Sequence, residues 1–333
     1  MELNAEQLKV VTAPRGNIRL IAGAGSGKTT VLINRIIHLV EREGLEPTRI
    51  VAITFTRKAA GEMRRRLEQS RIGERLSRQG FPWMGTIHSL AWRLWHREQP
   101  ERWRVLAEGQ GQRLRWSIGQ KYLAEARGFP LATWMARAPR EHESRLFPAW
   151  AEFYREWRQF KESNHYIEFD DMVPFLLRLW QGDESALAAW QSSFDSLLVD
   201  EFQDTSADQV ELLRTMLTPA HDFLAVGDDW QSLYGIRQAE VKFFVDFKKY
   251  FPKSRSYRLE RNYRSSRRIV SFVNGLLTLN RKKVKKRMKS MAGLGPRIHF
   301  CAVEHLQELP ERVNDCLERE EVVASGEVAV LAR

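Results

Sequence analysis

The residues best suited to chemistry form a glycine-rich stretch near the start of the chain. Residues 22–29 read AGAGSGKT, which ends in the Gly-Lys-Thr of a phosphate-binding loop and has alanine in place of the usual first glycine. Glycines let backbone N–H groups close around phosphate oxygens, and a following helix adds the positive end of its dipole. We expect Lys28 to contact the β- and γ-phosphates of a nucleotide and the Thr29 hydroxyl to bind Mg²⁺. The expected nucleotide-binding residues of this loop are Ala22, Gly23, Ala24, Gly25, Ser26, Gly27, Lys28, Thr29 and Thr30.

A phosphate-binding loop needs an acidic partner, and two adjacent carboxylates supply one. Asp200 and Glu201 directly follow the apolar run of residues 196–199 (SLLV), which predicts that they lie at the tip of a buried strand. We expect Asp200 to hold the metal through water, and Glu201 to orient and deprotonate the attacking water. The alternative, two solvated surface carboxylates, is disfavoured by the apolar run before them.

The elements that must position these residues predict an α/β fold. Four short apolar runs, at residues 17–22, 50–55, 196–200 and 223–227, have the pattern of buried strands. Apolar residues at helical spacing follow the glycine-rich stretch from Thr29 to Glu41. Strands that alternate with helices indicate a parallel sheet with helices on both faces. The strand before the loop and the helix after it also argue against a plain glycine-rich turn with a surface lysine.

Length, charge and cysteine content exclude several classes of protein. The 333 residues suggest about two domains, and two cysteines, Cys301 and Cys316, are too few for a disulfide framework or a zinc site. The 53 Lys and Arg against 42 Asp and Glu give a net charge of +11, which favours a polyanionic partner such as a nucleic acid. No signal peptide and no run of the roughly 18 apolar residues of a membrane helix is found. The sequence therefore predicts a soluble, cytoplasmic protein without a membrane contact.

Six segments, in the same order, resemble the superfamily 1 DNA helicases of the UvrD/Rep type. They are LNAEQ from Leu3, TFTRKAAGEM from Thr54, GTIHSL from Gly85, DEFQDTS from Asp200, GDDWQSLYGIRQA from Gly227 and LERNYRSS from Leu259. The GDDWQS variant and the spacing are most similar to the helicase IV-like branch. The resemblance covers residues 1 to about 270 and implies an ATP- and Mg²⁺-dependent helicase or translocase. Its partner would be single-stranded DNA or a junction of single and double strands, with movement from 3′ to 5′.

The resemblance also implies roles in the nucleotide site. Gln7 falls on the position that recognises adenine, and a carboxamide can pair with both N7 and N6 of that base. Gln231 and Arg264 fall on positions that contact the γ-phosphate, and Tyr263 on one that stacks on adenine. Arg35 matches a position near the adenine. The implied catalytic residues are Lys28, Glu201, Gln231 and Arg264.

A second set of matched positions lines the groove for single-stranded DNA. Hydroxyl groups can contact phosphates, while exposed aromatic side chains stack on bases with about 1–3 kcal/mol each. Phe55 could equally be the last core residue of its strand, and this alternative stays open. Tyr234 and Arg237 match the segment that joins the ATP site to the DNA. The implied DNA-binding residues are Phe55, Thr56, Arg57, Thr86, His88, Tyr234 and Arg237.

Three residues depart from the family's pattern. Ile236 stands where relatives usually carry a tryptophan that stacks on a base, and Trp230 replaces a common aspartate. Either base stacking is weaker in this chain or Trp230 compensates from a different place. Arg57 replaces a frequent asparagine and would add a phosphate contact.

The resemblance divides the chain into four parts. Residues 1–88 and 191–270 would form the first RecA-like, ATP-binding domain around a P-loop parallel sheet. Residues 89–190, rich in Trp and Arg, would form an inserted helical domain whose tryptophans mainly fill its core. Residues 271–333 would be the incomplete beginning of a second RecA-like domain, with strands at residues 299–303 and 327–331. From this division we expect nucleotide binding, slow or no hydrolysis and no unwinding by these 333 residues alone.

Two further alternatives stay open at this level. Residues 281–289 (RKKVKKRMK) hold seven basic residues in nine, and the spacing of Val284 and Met288 suggests a helix with one buried stripe. The exposed lysines would form either a DNA-phosphate patch or only a solvated face. The alternative function is a non-catalytic module that binds nucleotide and DNA. A nucleotide kinase also uses a phosphate-binding loop, but it has no reason to combine DEFQD, GDDWQS and NYRS.

Overall fold

The computed structural model describes most of the chain as strands and helices in alternation. The described residues are 2–81, 83–98, 103–122, 148–231, 240–277, 284, 286–298, 308, 310–311 and 314. Their strands are β1 (Asn17–Ala22), β2 (Ile50–Thr54), β3 (Met84–Thr86), β4 (Arg104–Val105), β5 (Tyr166–Ile167), β6 (Ser196–Val199), β7 (Asp222–Gly227), β8 (Arg255–Leu259), β9 (Arg261–Asn262) and β10 (Lys289–Ser290).

The helices follow the same chain order. They are α1 (Ala5–Val11), α2 (Lys28–Glu41), α3 (Arg57–Glu68), α4 (Gly73–Gln79), α5 (Ile87–Glu98), α6 (Glu108–Gly119), α7 (Pro148–Ser163), α8 (Met172–Gly182), α9 (Glu184–Ser192), α10 (Ala207–Met216), α11 (Lys242–Val245), α12 (Phe247–Tyr250) and α13 (Arg267–Leu277). Short 3₁₀ turns lie at Pro47–Arg49, Gln120–Tyr122, Phe169–Asp171 and Phe202–Asp204.

The centre of the fold is one parallel sheet of six strands. Their order is β3-β2-β6-β7-β1-β8, and every neighbouring pair is parallel. The predicted α/β class is confirmed, and the four apolar runs form β1, β2, β6 and β7. The edge strands β3 and β8 were not predicted. Because all six strands run the same way, their carboxyl ends meet at a single edge of the sheet.

Helices cover both faces of this sheet. On one face α1, α2 and α3 pack around buried residues such as Val10, Ile36 and Met63. On the other face α5, α8, α9 and α10 pack with the phenylalanines of α11 and α12. Buried strands with apolar residues on both sides are what a sheet covered on both faces requires. The sheet is therefore held rigidly, and the loops at its carboxyl edge are built on a fixed base.

The described residues between β3 and β6 are mostly helical, and these helices belong to two cores. Trp95, Trp180 and Trp190, from α5, α8 and α9, are buried in the core of the main sheet. A separate small cluster contains Leu106, Phe153 and Trp157, beside the β4–β5 pair. Trp157 thus fills a core of the insertion itself, as predicted, whereas the other three fill the core of the main sheet and Trp116 is exposed.

The structure corrects the interpretation of the basic run. Residues 284 and 286–288 are not helical, and they lead directly into β10, which pairs with β9. The expected helix is therefore wrong for these residues. Met288 is buried and Lys289 is exposed, as expected, but the Lys286 side chain is buried rather than exposed. The strands expected at residues 299–303 and 327–331 lie outside the described residues, as do most of the lysines of the run.

None of the helices that the structure describes has both the length and the apolar character needed to cross a bilayer.

Candidate functional site

The glycine-rich turn lies between the carboxyl end of β1 and the start of α2. Gly25 and Gly27 have φ angles of +65° and +88°, a region that only glycine adopts without strain. The Ser26 hydroxyl donates to the Gly23 carbonyl at 2.7 Å, which closes the turn. Because α2 begins at Lys28, its unpaired N–H groups and the positive end of its dipole face the turn. The local geometry is that of an anion-binding loop.

The ammonium group of Lys28 is held by a carboxylate from the other half of the sheet. Lys28 Nζ lies 2.7 Å from Glu201 Oε2, and both side chains are partly buried. Glu201 has a φ of 51° directly after β6, an uncommon conformation for a residue with a side chain. Strained backbone of this kind is found most often at functional sites. The two residues that the sequence assigned to phosphate contact and water activation are therefore neighbours.

Asp200 lies at the end of β6 in a nearly closed environment. Burial, and to a smaller extent the neighbouring charge of Glu201, raise the pKa of Asp200 to about 6, while Lys28 acts in the opposite direction. Its backbone N–H donates to the Ile53 carbonyl at 2.8 Å, so the residue is fixed by the sheet. A carboxylate that is costly to ionise in this way gains from a nearby cation.

The two residues expected to bind Mg²⁺, Thr29 and Asp200, offer a hydroxyl and a carboxylate, and both are oxygen donors. Among the described residues, no three His, Cys, Asp or Glu side chains are grouped so that they could hold a metal by themselves. Mg²⁺ is usually bound by one or two protein oxygens, with phosphate and water completing its shell. The Thr29 hydroxyl and the Asp200 carboxylate supply oxygens of this kind.

A second wall of the site comes from the N-terminal helix α1. Gln7 Nε2 donates to the Ser26 carbonyl at 3.1 Å, and a Cβ on Gly27 would lie 2.6 Å from the same nitrogen. Asn4 caps α1 by accepting from the Gln7 N–H, and its Nδ2 donates to the Tyr263 hydroxyl at 2.7 Å. Gln7 and the half-exposed Tyr263 therefore stand on the same side of the loop.

The NYRS segment docks on the loop through its asparagine. Asn262 Nδ2 donates to the Ala24 carbonyl at 2.7 Å, and Asn262 Oδ1 accepts from the N–H groups of Arg264 and Ser265. The N–H of Tyr263 donates to the Gly25 carbonyl at 2.9 Å. A Cβ on Gly25 would lie only 2.5 Å from Arg264 Cβ, so the contact depends on glycine.

Gln203, which the sequence analysis missed, connects the carboxylates to the GDDWQ loop. Its Nε2 donates to Glu201 Oε2 at 2.9 Å, and its Oε1 accepts from the Asp228 N–H at 2.9 Å. Gln231, in the same loop, donates from its Nε2 to the Asp228 carboxylate. The sequence signal that could have identified Gln203 is an amide side chain two residues after Glu201, the second of the two carboxylates that follow β6.

Arg35 does not lie where the resemblance places it. Its guanidinium is fully buried and donates to the Val11 and Ala13 carbonyls and to Asp222 Oδ1, at 2.9, 2.6 and 2.9 Å. Asp222 begins β7, so this ion pair lies at the amino edge of the sheet, opposite the glycine-rich turn. Arg35 is therefore a core residue and is withdrawn from the nucleotide site.

The residues expected to bind DNA lie next to the carboxylates. Phe55, Thr86 and His88 line one cleft together with Asp200 and Glu201. The Phe55 side chain is 41% exposed, which favours a surface role over the core alternative. Thr56 is also exposed, but its hydroxyl accepts from the Ala59 N–H as the cap of α3, and the neighbouring Arg57 is exposed. Tyr234, Ile236 and Arg237 lie outside the described residues.

Phe169 is an aromatic residue of this cleft region that the sequence analysis did not single out as functional. Its ring lies 5.2 Å from the ring of His88, centroid to centroid, at 49°, and its side chain is 47% exposed. It belongs to the segment IEFDDM, and the residue after it, Asp170, lines the cleft. In the sequence, the only signal for Phe169 is that an aromatic residue directly precedes two carboxylates, Asp170 and Asp171.

Comparisons with known proteins show the family to which this chain is similar. The family model described as UvrD/REP helicase N-terminal domain matches residues 3–110 and 119–252. DNA helicase II of Escherichia coli is 34% identical over 94% of this chain and 45% of its own length. ATP-dependent DNA helicase PcrA of Leuconostoc citreum is 30% identical over 90% of this chain and 42% of its own length. The putative ATP-dependent DNA helicase YjcD of Bacillus subtilis is 29% identical over 99% of this chain and 46% of its own length. The chain thus spans less than half the length of these relatives.

Proposed function

The chain belongs to the UvrD/REP helicase family, and from this membership we propose that it is the ATP-binding part of a DNA helicase or translocase. ATP and Mg²⁺ would bind at the glycine-rich turn, and single-stranded DNA or a strand junction would bind in the adjacent cleft, with movement from 3′ to 5′. The observation that carries the proposal is the convergence of Lys28, Glu201, Gln7 and the NYRS segment on one turn.

In this proposal each residue around the turn has a separate role in binding or hydrolysing the nucleotide. Lys28 would leave Glu201 for the β- and γ-phosphates, which would free Glu201 to orient and deprotonate the attacking water. Thr29 and Asp200 would hold Mg²⁺, whose positive charge would offset the negative charge that develops on the phosphates. Arg264 and Gln231 would contact the γ-phosphate, while Gln7 and Tyr263 would bind the adenine.

The DNA site is proposed along the cleft that begins at Phe55. Thr56, Arg57, Thr86 and His88 would contact phosphates, and Phe55 would stack on a base. Phe169 is added to this set because it is exposed beside His88. Tyr234 and Arg237 are retained in the proposal on the resemblance alone.

The division into domains is also a proposal. Residues 1–88 and 191–270 would form the first RecA-like domain, 89–190 the helical insertion and 271–333 the beginning of a second domain. The burial of α5, α8 and α9 against the main sheet suggests that, among the described residues of the insertion, 103–122 and 148–167 are the ones with a core of their own. We expect these 333 residues to bind nucleotide but to hydrolyse it slowly or not at all without further domains.

The test is nucleotide binding and turnover with and without single-stranded DNA. Lys28→Ala should weaken binding of Mg-ATP by at least about tenfold, because a charge-assisted contact to phosphate is lost. Lys248→Ala, which removes an exposed lysine of α12, is the matched control and should change nothing. DNA-stimulated turnover that disappears in Lys28→Ala would support a motor. Absence of turnover would support the alternative, a non-catalytic nucleotide- and DNA-binding module, only if it persists when the chain is joined to further domains, because slow or no hydrolysis is expected of these 333 residues alone. ATP binding that is equal in wild type and Lys28→Ala would contradict both.

A further inference from the structure

Three charged side chains outside the proposed set of catalytic residues form a buried cluster beside the ATP site. The side chains of Lys286, Asp228 and Asp229 are only 1%, 2% and 0% exposed. Lys286 Nζ lies 2.9 Å from Asp229 Oδ1 and also donates to Asp228 Oδ1, and Val284 N–H donates to Asp229 Oδ2 at 2.7 Å. The same ammonium lies 4.5 Å from the centre of the Trp230 ring. Burial of this kind is costly for an unpaired charge, so each partner depends on the others.

The cluster is connected to the phosphate-binding lysine by a continuous chain of hydrogen bonds. Lys28 donates to Glu201, and Gln203 donates to the same carboxylate. The carbonyl of the Gln203 side chain accepts from the Asp228 N–H. The Asp228 carboxylate then accepts from both Lys286 and Gln231. Asp228 is therefore shared between a buried lysine and the amide proposed to contact the γ-phosphate.

The segment that carries Lys286 is itself fixed to the ATP site. Met288 exchanges two hydrogen bonds with the Asn274 side chain, at 2.8 and 3.2 Å, and the following strand β10 pairs with β9 of the NYRS segment. A Cβ on Gly23 would lie 2.3 Å from Met288 Sδ, so this segment also contacts the start of the glycine-rich turn. These contacts of Met288 and β10 fix the backbone close to Lys286, so the position of Lys286 does not depend on its flexible side chain alone.

We propose that Lys286 is a positioning residue of the nucleotide site, which acts through Asp228 on Gln231. The inference rests on the proposed function, because Gln231 is given its γ-phosphate contact there. With Lys286 present, the negative charge of Asp228 is shared, and the Gln231 amide can exchange Asp228 for the γ-phosphate. Without Lys286, an uncompensated carboxylate holds the amide more strongly, since hydrogen bonds to an unshared charge are the stronger ones. ATP binding is then weakened more than ADP binding.

The first experiment compares two nucleotides in the 333-residue chain. Dissociation constants of Mg-ADP and of Mg-AMP-PNP, an ATP analogue that is not hydrolysed, are measured for wild type, Lys286→Met, Lys286→Arg and Lys289→Met. In Lys286→Met the AMP-PNP constant should rise about tenfold relative to the ADP constant. Lys286→Arg keeps the charge and should retain most of the wild-type ratio. Lys289→Met removes an exposed lysine of the same segment and should retain all of it.

A double variant separates positioning from a purely structural role. Lys286→Met leaves two buried carboxylates without a cation, and it could unfold the chain for that reason alone. Lys286→Met with Asp229→Asn restores the wild-type charge of the cluster while Asp228 still lacks its lysine. We expect the thermal unfolding temperature to recover and the preference for AMP-PNP to stay impaired. The proposal would be overturned if the double variant recovered both the unfolding temperature and the preference for AMP-PNP. It would also be overturned if folded Lys286→Met kept the wild-type ratio of the AMP-PNP and ADP dissociation constants.

The outcome is distinguishable from failure of the proposed function. If wild type does not bind AMP-PNP, or if Lys28→Ala binds it equally well, the nucleotide site itself is wrong. If Lys28→Ala loses binding while every Lys286 variant keeps the wild-type ratio, only the role of Lys286 is wrong.

Discussion

The carboxyl group of Asp200 shows how one residue can report on the whole site. It is almost entirely buried at the end of β6, beside a second carboxylate, and both conditions disfavour its ionised form. A bound divalent cation would reverse this preference, because it supplies the positive charge that burial withholds. The ionised carboxylate of Asp200 therefore destabilises the metal-free protein, whereas with a bound cation the same charge would be compensated.

The pH dependence of stability follows from the direction of this pKa shift. The pKa of Asp200 is about 6 in the folded chain, against an ordinary 3.8, so between these pH values the folded state binds more protons than the unfolded state. The free energy of unfolding of the metal-free protein should therefore fall as the pH rises through this window, by on the order of 3 kcal/mol. Denaturant titrations of wild type and Asp200→Asn at several pH values between about 4 and 8 measure it.

Asp200→Asn should remove this dependence. Asp195 offers a contrast of opposite sign, because a hydrogen bond from Arg49 lowers the pKa of that carboxyl group. Its contribution to stability should be lost as the pH falls, not as it rises. An Asp200→Asn variant with the same pH profile as wild type would show that Asp200 is not the group responsible.

Single residues also show where the sequence was sufficient for the site. Lys28 could be predicted from the glycine-rich stretch itself, whereas Gln7 and Arg264 could be placed beside it only through the resemblance to the helicase motifs. Arg35 failed because it shares a helix with Lys28 but lies seven residues, or roughly 10 Å, further along α2. That distance takes the guanidinium to the opposite edge of the sheet, where Asp222 pairs with it. The distance of Arg35 along α2, and not the side of the helix on which it lies, therefore places it outside the nucleotide site.

Among the elements, the short strands were the hardest to predict. β8 alternates polar and apolar residues (RSYRL) because it is an edge strand with one face exposed, and β3 has only three residues. Neither has the apolar run that made β1, β2, β6 and β7 recognisable. The segment before β10 was misjudged for a different reason. Its lysines were treated alike, although one of them is paired with two distant aspartates that local sequence cannot reveal.

The helical insertion is held by a buried carboxylate, and this gives a prediction at the scale of an element. Glu168 accepts from Trp157 Nε1 at 2.9 Å and Lys161 Nζ at 3.0 Å, and it also pairs with Arg115. Glu168→Ala should destabilise this region by about 3–5 kcal/mol, because two buried cations lose a shared partner. Thermal unfolding followed by tryptophan fluorescence measures the loss.

Glu162→Ala is the matched control for this variant. Glu162 pairs with Arg158 on the exposed face of α7, where both side chains are about half exposed, and its loss should cost less than about 1 kcal/mol. Equal effects of the two substitutions would show that Glu168 does not hold α6 and α7 together.

Across the whole molecule, the cleft beside Asp200 joins the main sheet to the insertion. Phe55 follows β2 and His88 lies in the first turn of α5, and both line this cleft. Phe169, whose ring lies beside that of His88, comes from the turn before α8. We expect Phe55→Ala and Phe169→Ala each to weaken binding of single-stranded DNA by about 1–3 kcal/mol, because each removes a stacking surface for a base. Fluorescence anisotropy with a labelled oligonucleotide measures the change.

Leu8→Ala removes an exposed apolar side chain of α1, outside this cleft, and should leave the DNA affinity unchanged. If both phenylalanine variants bound DNA as wild type does, while Leu8→Ala did too, the cleft would not be the DNA site.

The order of strands in the sheet has a consequence for how the protein is made. β1 lies between β7 and β8, so Ile18 is paired with Leu224 on one side and Arg255 on the other. Contacts between such distant parts of a chain form slowly, because a long loop must close before they can stabilise anything. During synthesis, more than two hundred residues must follow Ile18 before either of its partners in β7 and β8 has been made. Until then β1 can pair with neither of the two strands that flank it in the folded sheet.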